Sequence, residues 1–398
     1  MANKIRTPHA KIGVLSLAHM VNDIYSNFLP QMLPFLVVLS ADFTATRAAI
    51  LISAFTITSS FVQPIFGFFL DHQGKRWLVH VGTLWMAVML SMTGLVHNNY
   101  ILLVILAGLA GLGTAAFHPQ ASTMVSVLSG DRKAVILSMF VACGSCGFAL
   151  SPLLLVPLFQ AYGLQVTTVT VIPGILVAVL LFYFAPRDNV LGGAQTSLAQ
   201  VVSTLKAASK ELSSIIGVIA IRALAYSALI TLLPLYFKSQ NLSNITASHL
   251  ITIMLLTGAI GGIIGGFISD YFGRKRLIVG SLIACVPFFF GFFYTQGTLS
   301  TVFLALAGAC LLSSFSVTVI AAQEVIPDNK AFAAGLTMGF ANGLGAFFVI
   351  PFGKIADIWG LPIAINIVFL LPLIAGLIAL FMKKRPAARA ERHQTLDH

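Results

Sequence analysis

GFFLDHQGKR, from Gly67 to Arg76, returns as GFISDYFGRKR, from Gly266 to Arg276. Gly67, Asp71 and Gly74 are matched by Gly266, Asp270 and Gly273, and Lys75 and Arg76 by Arg274 and Lys275, each 199 positions on in a chain of 398. Met139, Gly144, Phe148 and Pro152 find Met338, Gly343, Phe347 and Pro351 at the same offset. Near the start of each half, Ile12-Gly13-Val14 and Leu29-Pro30 find Ile216-Gly217-Val218 and Leu233-Pro234 at an offset of 204, the difference falling in the first outer loop. A parallel repeat of this kind means two halves in the same orientation, related by an axis along a membrane normal.

The membrane itself follows from composition. With 58% hydrophobic residues, 9% charged and a mean hydropathy of +0.95, no water-soluble core could absorb the apolar surface. Apolar runs of the roughly 20 residues that a helix needs to cross hydrocarbon recur from end to end. They exclude a closed barrel, whose strands alternate apolar and polar residues. About twelve spans are expected, near 11–39, 47–70, 77–96, 100–128, 134–161, 166–185, 212–237, 247–269, 277–295, 299–325, 331–355 and 361–382. The expected fold is all-α integral membrane: a six-helix bundle over 1–185, a cytoplasmic linker over 186–211, a second six-helix bundle over 212–382, and a basic tail over 383–398. In the linker, Leu198, Val201, Val202 and Leu205 recur at helical spacing, which fits a short amphipathic helix on the membrane surface.

The net charge of +11 would invite a nucleic-acid reading in a soluble protein, but the basic residues form no stripe. With the N-terminus taken as cytoplasmic, 19 of the 23 Lys and Arg fall on that side, three outside (Arg47, Lys238, Lys354) and one within a span (Arg222). This positive-inside asymmetry places both termini in the cytoplasm. The segment after Met1 carries no small-residue cleavage site and reads as no removable signal peptide. Four cysteines lie in apolar runs; Cys143 and Cys146 make a CxxC whose plainer reading is two small residues at a packing face. No metal-ligand spacing, nucleophile triad, paired catalytic carboxylates or phosphate-cradling loop is visible, so neither an enzyme nor a cofactor is expected.

The doubled loop resembles the cytoplasmic signature of the major facilitator superfamily, and that resemblance extends over the whole chain. Gly67 and Gly266 would let helices approach closely, Gly74 and Gly273 permit a tight turn, and Asp71 and Asp270 accept hydrogen bonds from an adjacent helix N-terminus. The basic pairs read as inner-leaflet anchors; the resemblance adds a latch between helices, with Glu324 as a partner for Arg274 or Lys275. Cys143-Gly144-Ser145-Cys146-Gly147 with Ser151-Pro152 resembles the Gly-rich, Pro-ended helix of the exporting branches, in which Gly144 and Gly147 permit close packing and Pro152 a bend, although Ser151 stands where a glycine is usual.

Ionisable groups at mid-depth are costly and mark function or a buried structural pair. His19 and Asp23 lie four apart on one face of the first span, Asp23 about 18 Å along the helix from Lys11. Phe117-His118-Pro119 sets an imidazole at similar depth on the fourth span, and Arg222 lies roughly 15 Å in from Glu211 on the seventh. The family resemblance implies that these three spans line a central cavity. Asn22, Tyr25, Asn27, Gln120 and Tyr226 read as polar lining for substrate, or as ordinary interhelical hydrogen bonding.

A narrower resemblance rests on His19-x-x-Asn22-Asp23, Gly111-x-Gly113, Phe117-His118-Pro119, the stretch from Gly144 to Pro152, and Arg222-x-x-x-Tyr226 leading to Leu233-Pro234-Leu235. Together these are similar to the fosmidomycin-resistance family of exporters, with Gln120 where that family commonly carries a glutamate. The resemblance implies a monomeric, proton-coupled exporter of small anionic or zwitterionic compounds in the bacterial inner membrane. Asp23, His118 and His19 would handle protons and Arg222 the substrate. A proton-linked importer of a metabolite or siderophore-like compound is the alternative, and a membrane enzyme or sensor a remote one.

Overall fold

The computed structural model describes residues 7–73, 76–129, 133–186, 198–326, 333 and 336–383. All regular structure among them is helical. The helices are α1 (Pro8–Ser26), α2 (Phe28–Leu39), α3 (Ala45–Gln73), α4 (Trp77–Ser91), α5 (Tyr100–Leu128), α6 (Lys133–Tyr162) and α7 (Val171–Phe184), the last entered through a 3-10 turn over Leu164–Thr170. There follow α8 (Leu198–Ser239), α9 (Asn244–Phe272), α10 (Arg274–Tyr294), α11 (Gly297–Val325), a π-helical segment over Leu336–Ala341, α12 (Asn342–Phe347), α13 (Val349–Trp359) and α14 (Leu361–Ala379).

Ten of the described stretches are long and apolar enough to cross a bilayer. The two other expected spans take different forms. Trp77–Ser91 is apolar but short, ending in turns before Tyr100. The first span, expected as one helix, is broken at Asn27, whose φ of −102° and ψ of 21° leave the helical region. Pro30 gives the reason: it has no N–H for the Ser26 carbonyl four residues back, and its ring crowds that carbonyl.

Local chemistry fixes the other ends. Thr7 caps α1, its Oγ1 accepting from the Ala10 N–H at 3.4 Å with Pro8 following, and Asn99 caps α5 by accepting from the Leu102 N–H at 3.2 Å. Gly273 links α9 to α10 at φ +89°, where a side chain would be strained, so the expected tight turn has its physical cause. The linker residues 198–211 are helical, and α8 runs from them into the seventh span without interruption. Residues 187–197 of the linker and 384–398 of the tail lie outside the described residues.

Chain contacts gather into two compact units, Met1–Gln195 with Leu233–Thr252, and Thr196–Leu232 with Ile253–His398. In the first, Leu15, Val79, Phe117, Met124, Phe140 and Leu181 form a dry core between α1, α4, α5, α6 and α7. In the second, Phe289 stacks on Phe369 at 4.8 Å. Large apolar side chains also cover the outside, among them Ile101, Leu154, Phe182, Phe267 and Phe381, as expected where the solvent is lipid.

Candidate functional site

The first candidate site grows from α1. His19 and Asp23 are one turn apart, and α5 brings His118 to the other side of the carboxylate. His19 Nε2 lies 3.4 Å from Asp23 Oδ2, and His118 Nε2 lies 3.4 Å from Asp23 Oδ1. His19 is buried, stacked on the Phe140 ring at 4.2 Å and edge-on to His118 at 5.1 Å. Asp23 and His118 keep 16% and 23% of their side-chain surface open.

The tautomer of His19 follows from its other nitrogen. Nδ1 lies 2.8 Å from the carbonyl oxygen of Phe140, which can only accept, so Nδ1 carries a hydrogen. A neutral His19 then turns a bare Nε2 lone pair toward an anionic Asp23, two acceptors face to face. A cation between them, a proton on one of the groups being the simplest, relieves that opposition. Gly144 of α6 makes room: a Cβ on it would sit 2.5 Å from Asp23 Oδ2 and 2.6 Å from His19 Nε2. The Gly-rich helix thus meets the carboxylate and its imidazole, with Gly147 against the Met20 backbone.

The neighbours of Asp23 do other work. Asn22 is fully buried and donates to Thr83 Oγ1 at 3.1 Å. Tyr25 donates to the Thr170 carbonyl and accepts from the Gly174 N–H at 3.2 Å. Asn27 Nδ2 donates to the Phe148 carbonyl at 2.9 Å, the group that Pro152, four residues on, leaves without an N–H partner. Ser151 lies 2.9 Å from the Ile24 carbonyl and 3.1 Å from that of Asn27, bridging the break between α1 and α2. Asn22, Tyr25 and Asn27 thus each bond to a neighbouring segment of the unit. α6 runs unbroken through Pro152. Gln120 is 2% exposed, and its Nε2 meets no partner among the described residues.

In the second unit Arg222 is 2% exposed, its guanidinium 4.8 Å over the Phe315 ring. No carboxylate pairs with it among the described residues, and its Nε meets no acceptor there. Tyr226 lies one turn further along α8. A buried cation lacking a counter-charge favours an anionic ligand.

The second copy of the loop motif is described in full. Arg274 Nη1 donates to Asp270 Oδ1 at 2.5 Å and Ser269 Oγ at 2.6 Å, and its Nε to Glu324 Oε1 at 3.3 Å. Lys275, a residue further round the helix, donates instead to the Leu380 carbonyl at 2.6 Å, at the end of α14. Gly266 has open space where a Cβ would go, so no close approach occurs there among the described residues. In the first copy, Arg76 donates to the Phe182 carbonyl near the end of α7, so the matched basic residues each meet a carbonyl near the last helix end of their own half. Gly67 and Asp71 lie in α3, where the backbone alone is described, and Gly74 and Lys75 lie outside the described residues.

Sequence reasoning missed Thr83, Phe140, Thr170, Ser269 and Phe315. For Phe140 there was no signal, because a backbone carbonyl carries no sequence signature. The Asn27–Phe148 bond did leave one, since a proline marks the carbonyl four residues before it.

Comparison with known proteins fits this architecture. Residues 15–349 match the family described as Major Facilitator Superfamily. The chain is 30% identical over 367 residues to the uncharacterized MFS-type transporter YfnC of Bacillus subtilis, covering 90% of this chain and 89% of that protein. It is 28% identical over 391 residues to the fosmidomycin resistance protein of Escherichia coli, covering 95% and 94%. Among solved structures, the nucleoside transporter NupG superposes with a TM-score of 0.78 at 14% identity, covering 94% of this chain and 99% of that one. An inward-facing bacterial homolog of the human lysosomal transporter Spinster gives 0.72 at 16% identity, covering 93% and 96%. The chain belongs to the Major Facilitator Superfamily, as a multi-pass membrane transporter and not an enzyme.

Proposed function

We propose that this protein is a proton-coupled exporter of small anionic or zwitterionic organic compounds, working by alternating access in a bacterial inner membrane with both termini in the cytoplasm. The observation that carries the reading is Asp23 held between two imidazoles, one locked by a backbone carbonyl, in an apolar bundle. A group in the span whose facing acceptors a positive charge completes is suited to take a proton from one side and give it up to the other. Asp23 and His118 carry the exchangeable proton and His19 orients it. Arg222 supplies the fixed charge that draws the substrate, with Tyr226 beside it. The Asp270–Arg274–Glu324 cluster acts as a latch between α9, α10 and α11 that opens during the cycle.

A relative named for fosmidomycin resistance makes fosmidomycin the first compound to try, followed by other phosphonates and carboxylates. The test is purified protein in liposomes loaded with a pH-sensitive dye. Substrate added outside should move protons against it, and whole cells carrying the gene should hold less compound than cells without it. If substrate crosses and the dye does not respond, coupling is wrong; if cells accumulate the compound, export is wrong and the importer takes its place.

A further inference from the structure

The cluster of His19, Asp23 and His118 has the composition of a metal centre as well as of a proton site. His19, Asp23 and His118 each present a donor atom, and these atoms all lie within 4.8 Å of one another. Two donors at about 2.1 Å from a tetrahedral ion stand about 3.4 Å apart. His19 Nε2 stands at that distance from Asp23 Oδ2 and His118 Nε2 from the other carboxylate oxygen, Oδ1, so a shared ion needs the carboxylate to turn one oxygen, or both, toward it. The two imidazole nitrogens need close in on each other by no more than ~0.7 Å apiece to share one ion.

The surroundings add an independent observation. A metal-bound histidine almost always donates its second ring N–H to a carbonyl or carboxylate, which fixes the ligating nitrogen and its direction. His19 does this with Phe140 O at 2.8 Å, and Nε2 is thereby the free donor, aimed at the carboxylate. The Phe140 ring at 4.2 Å and the Phe117 ring at 6.1 Å give His19 an apolar wall. Gly144 lets α6 pack directly against Asp23 and His19, which a Cβ there would push aside, and so holds the two donors together. The part-exposed His118 and Asp23 provide a way in.

We infer that His19, Asp23 and His118 form a binding site for a divalent transition-metal ion of the zinc or cobalt class. Two imidazoles and one carboxylate exclude the hard, all-oxygen preference of magnesium and calcium and suit zinc, cobalt, nickel or iron. One such ion satisfies the two facing acceptors at once and leaves a net single positive charge at the site. The inference goes beyond the exporter reading, because it rests on the donor geometry alone and holds for either direction of transport.

The test uses the full-length protein in detergent, any affinity tag removed and stripped of metal with a chelator, titrated with Co2+ alone. Ligand-field absorption of Co2+ with one ion bound per chain is expected. His118→Gln and Asp23→Asn should each weaken binding by at least about tenfold, and His97→Gln, in a histidine remote from the cluster, should leave it unchanged. Each variant is first shown to elute as the wild type does, and His118→Gln carries the test if Asp23→Asn fails to fold. The inference is overturned if the wild type gives no ligand-field bands, or if both variants titrate like the wild type, which would put the metal elsewhere. Dye-reported proton movement on substrate addition is a separate readout: its failure removes proton coupling and leaves metal binding standing, and absent Co2+ bands do the reverse.

Discussion

In the first unit, the helix that carries Asp23 is bonded to its neighbours by side chains. Asn22 reaches Thr83, Tyr25 reaches Thr170 and Gly174, Asn27 reaches Phe148, and His19 reaches Phe140. At the matching positions of the second half, 204 residues on, His19, Asn22, Asp23, Tyr25 and Asn27 become Ala223, Tyr226, Ser227, Leu229 and Thr231, and His118 is matched 199 on by Val317. Thr231 bonds back along its own helix, to Ser227 O at 2.8 Å. The second half has one buried charge here, Arg222, whose counterpart in the first is Ala18. The two copies of one architecture have thus diverged at these positions: a cluster of two imidazoles and a carboxylate in the first half, a single buried guanidinium in the second. The backbones diverge too, α6 passing unbroken through Pro152 while the matching stretch breaks into the π-helical segment, α12 and α13.

This contrast can be broken most forcefully at Arg222. If its charge serves a ligand and not the fold, Arg222→Leu should cut substrate affinity by at least about tenfold, the worth of one charged hydrogen bond. Thermal stability should hold or rise as an unpaired buried charge is removed. A large fall in melting temperature with affinity intact would make Arg222 structural. Next in size is the close packing of the first unit. A Cβ on Gly82 would sit 2.8 Å from Gly113 O and 3.1 Å from the Ala116 Cβ, so Gly82→Val should cost about 1–3 kcal/mol, read as a lower melting temperature in detergent.

A smaller effect is expected from Tyr25→Phe, which removes the hydroxyl that serves Thr170 and Gly174. If Tyr25 packs helices without touching ligand, stability should drop by about 1 kcal/mol, with substrate affinity within about twofold of wild type. A selective loss of affinity would return Tyr25 to the substrate lining. Smallest is Glu324→Gln: its ion pair with Arg274 is part-exposed, and Arg274 keeps Asp270 and Ser269, so less than about 1 kcal/mol of stability should be lost.

The spans and the repeat were legible because hydrophobic runs and a fixed offset are properties of the chain itself. So was the pairing of His19 with Asp23, four residues apart on one helix face. Tyr25, two residues beyond Asp23, stands about 200° round the helix on the opposite face, where it meets Thr170 and Gly174. Glu324 was read correctly as lying near the loop, and the choice of Arg274 over Lys275 turned on a further 100° of helix that polarity does not encode. The break at Asn27 was hidden because the apolar run continues through it and its cause, Pro30, lies three residues on. What could not be read was the Phe140 carbonyl, which sets the tautomer of His19 and with it the demand for a cation.

That demand makes Asp23 the place to test the account. Wild type and Asp23→Asn, reconstituted at equal density in dye-loaded liposomes, are given the same substrate and followed for proton movement, with substrate binding measured in parallel. Proton movement should fall to the level of empty liposomes in Asp23→Asn while substrate still binds. Proton movement in Asp23→Asn equal to that of the wild type would contradict the assignment of the coupling proton to this cluster.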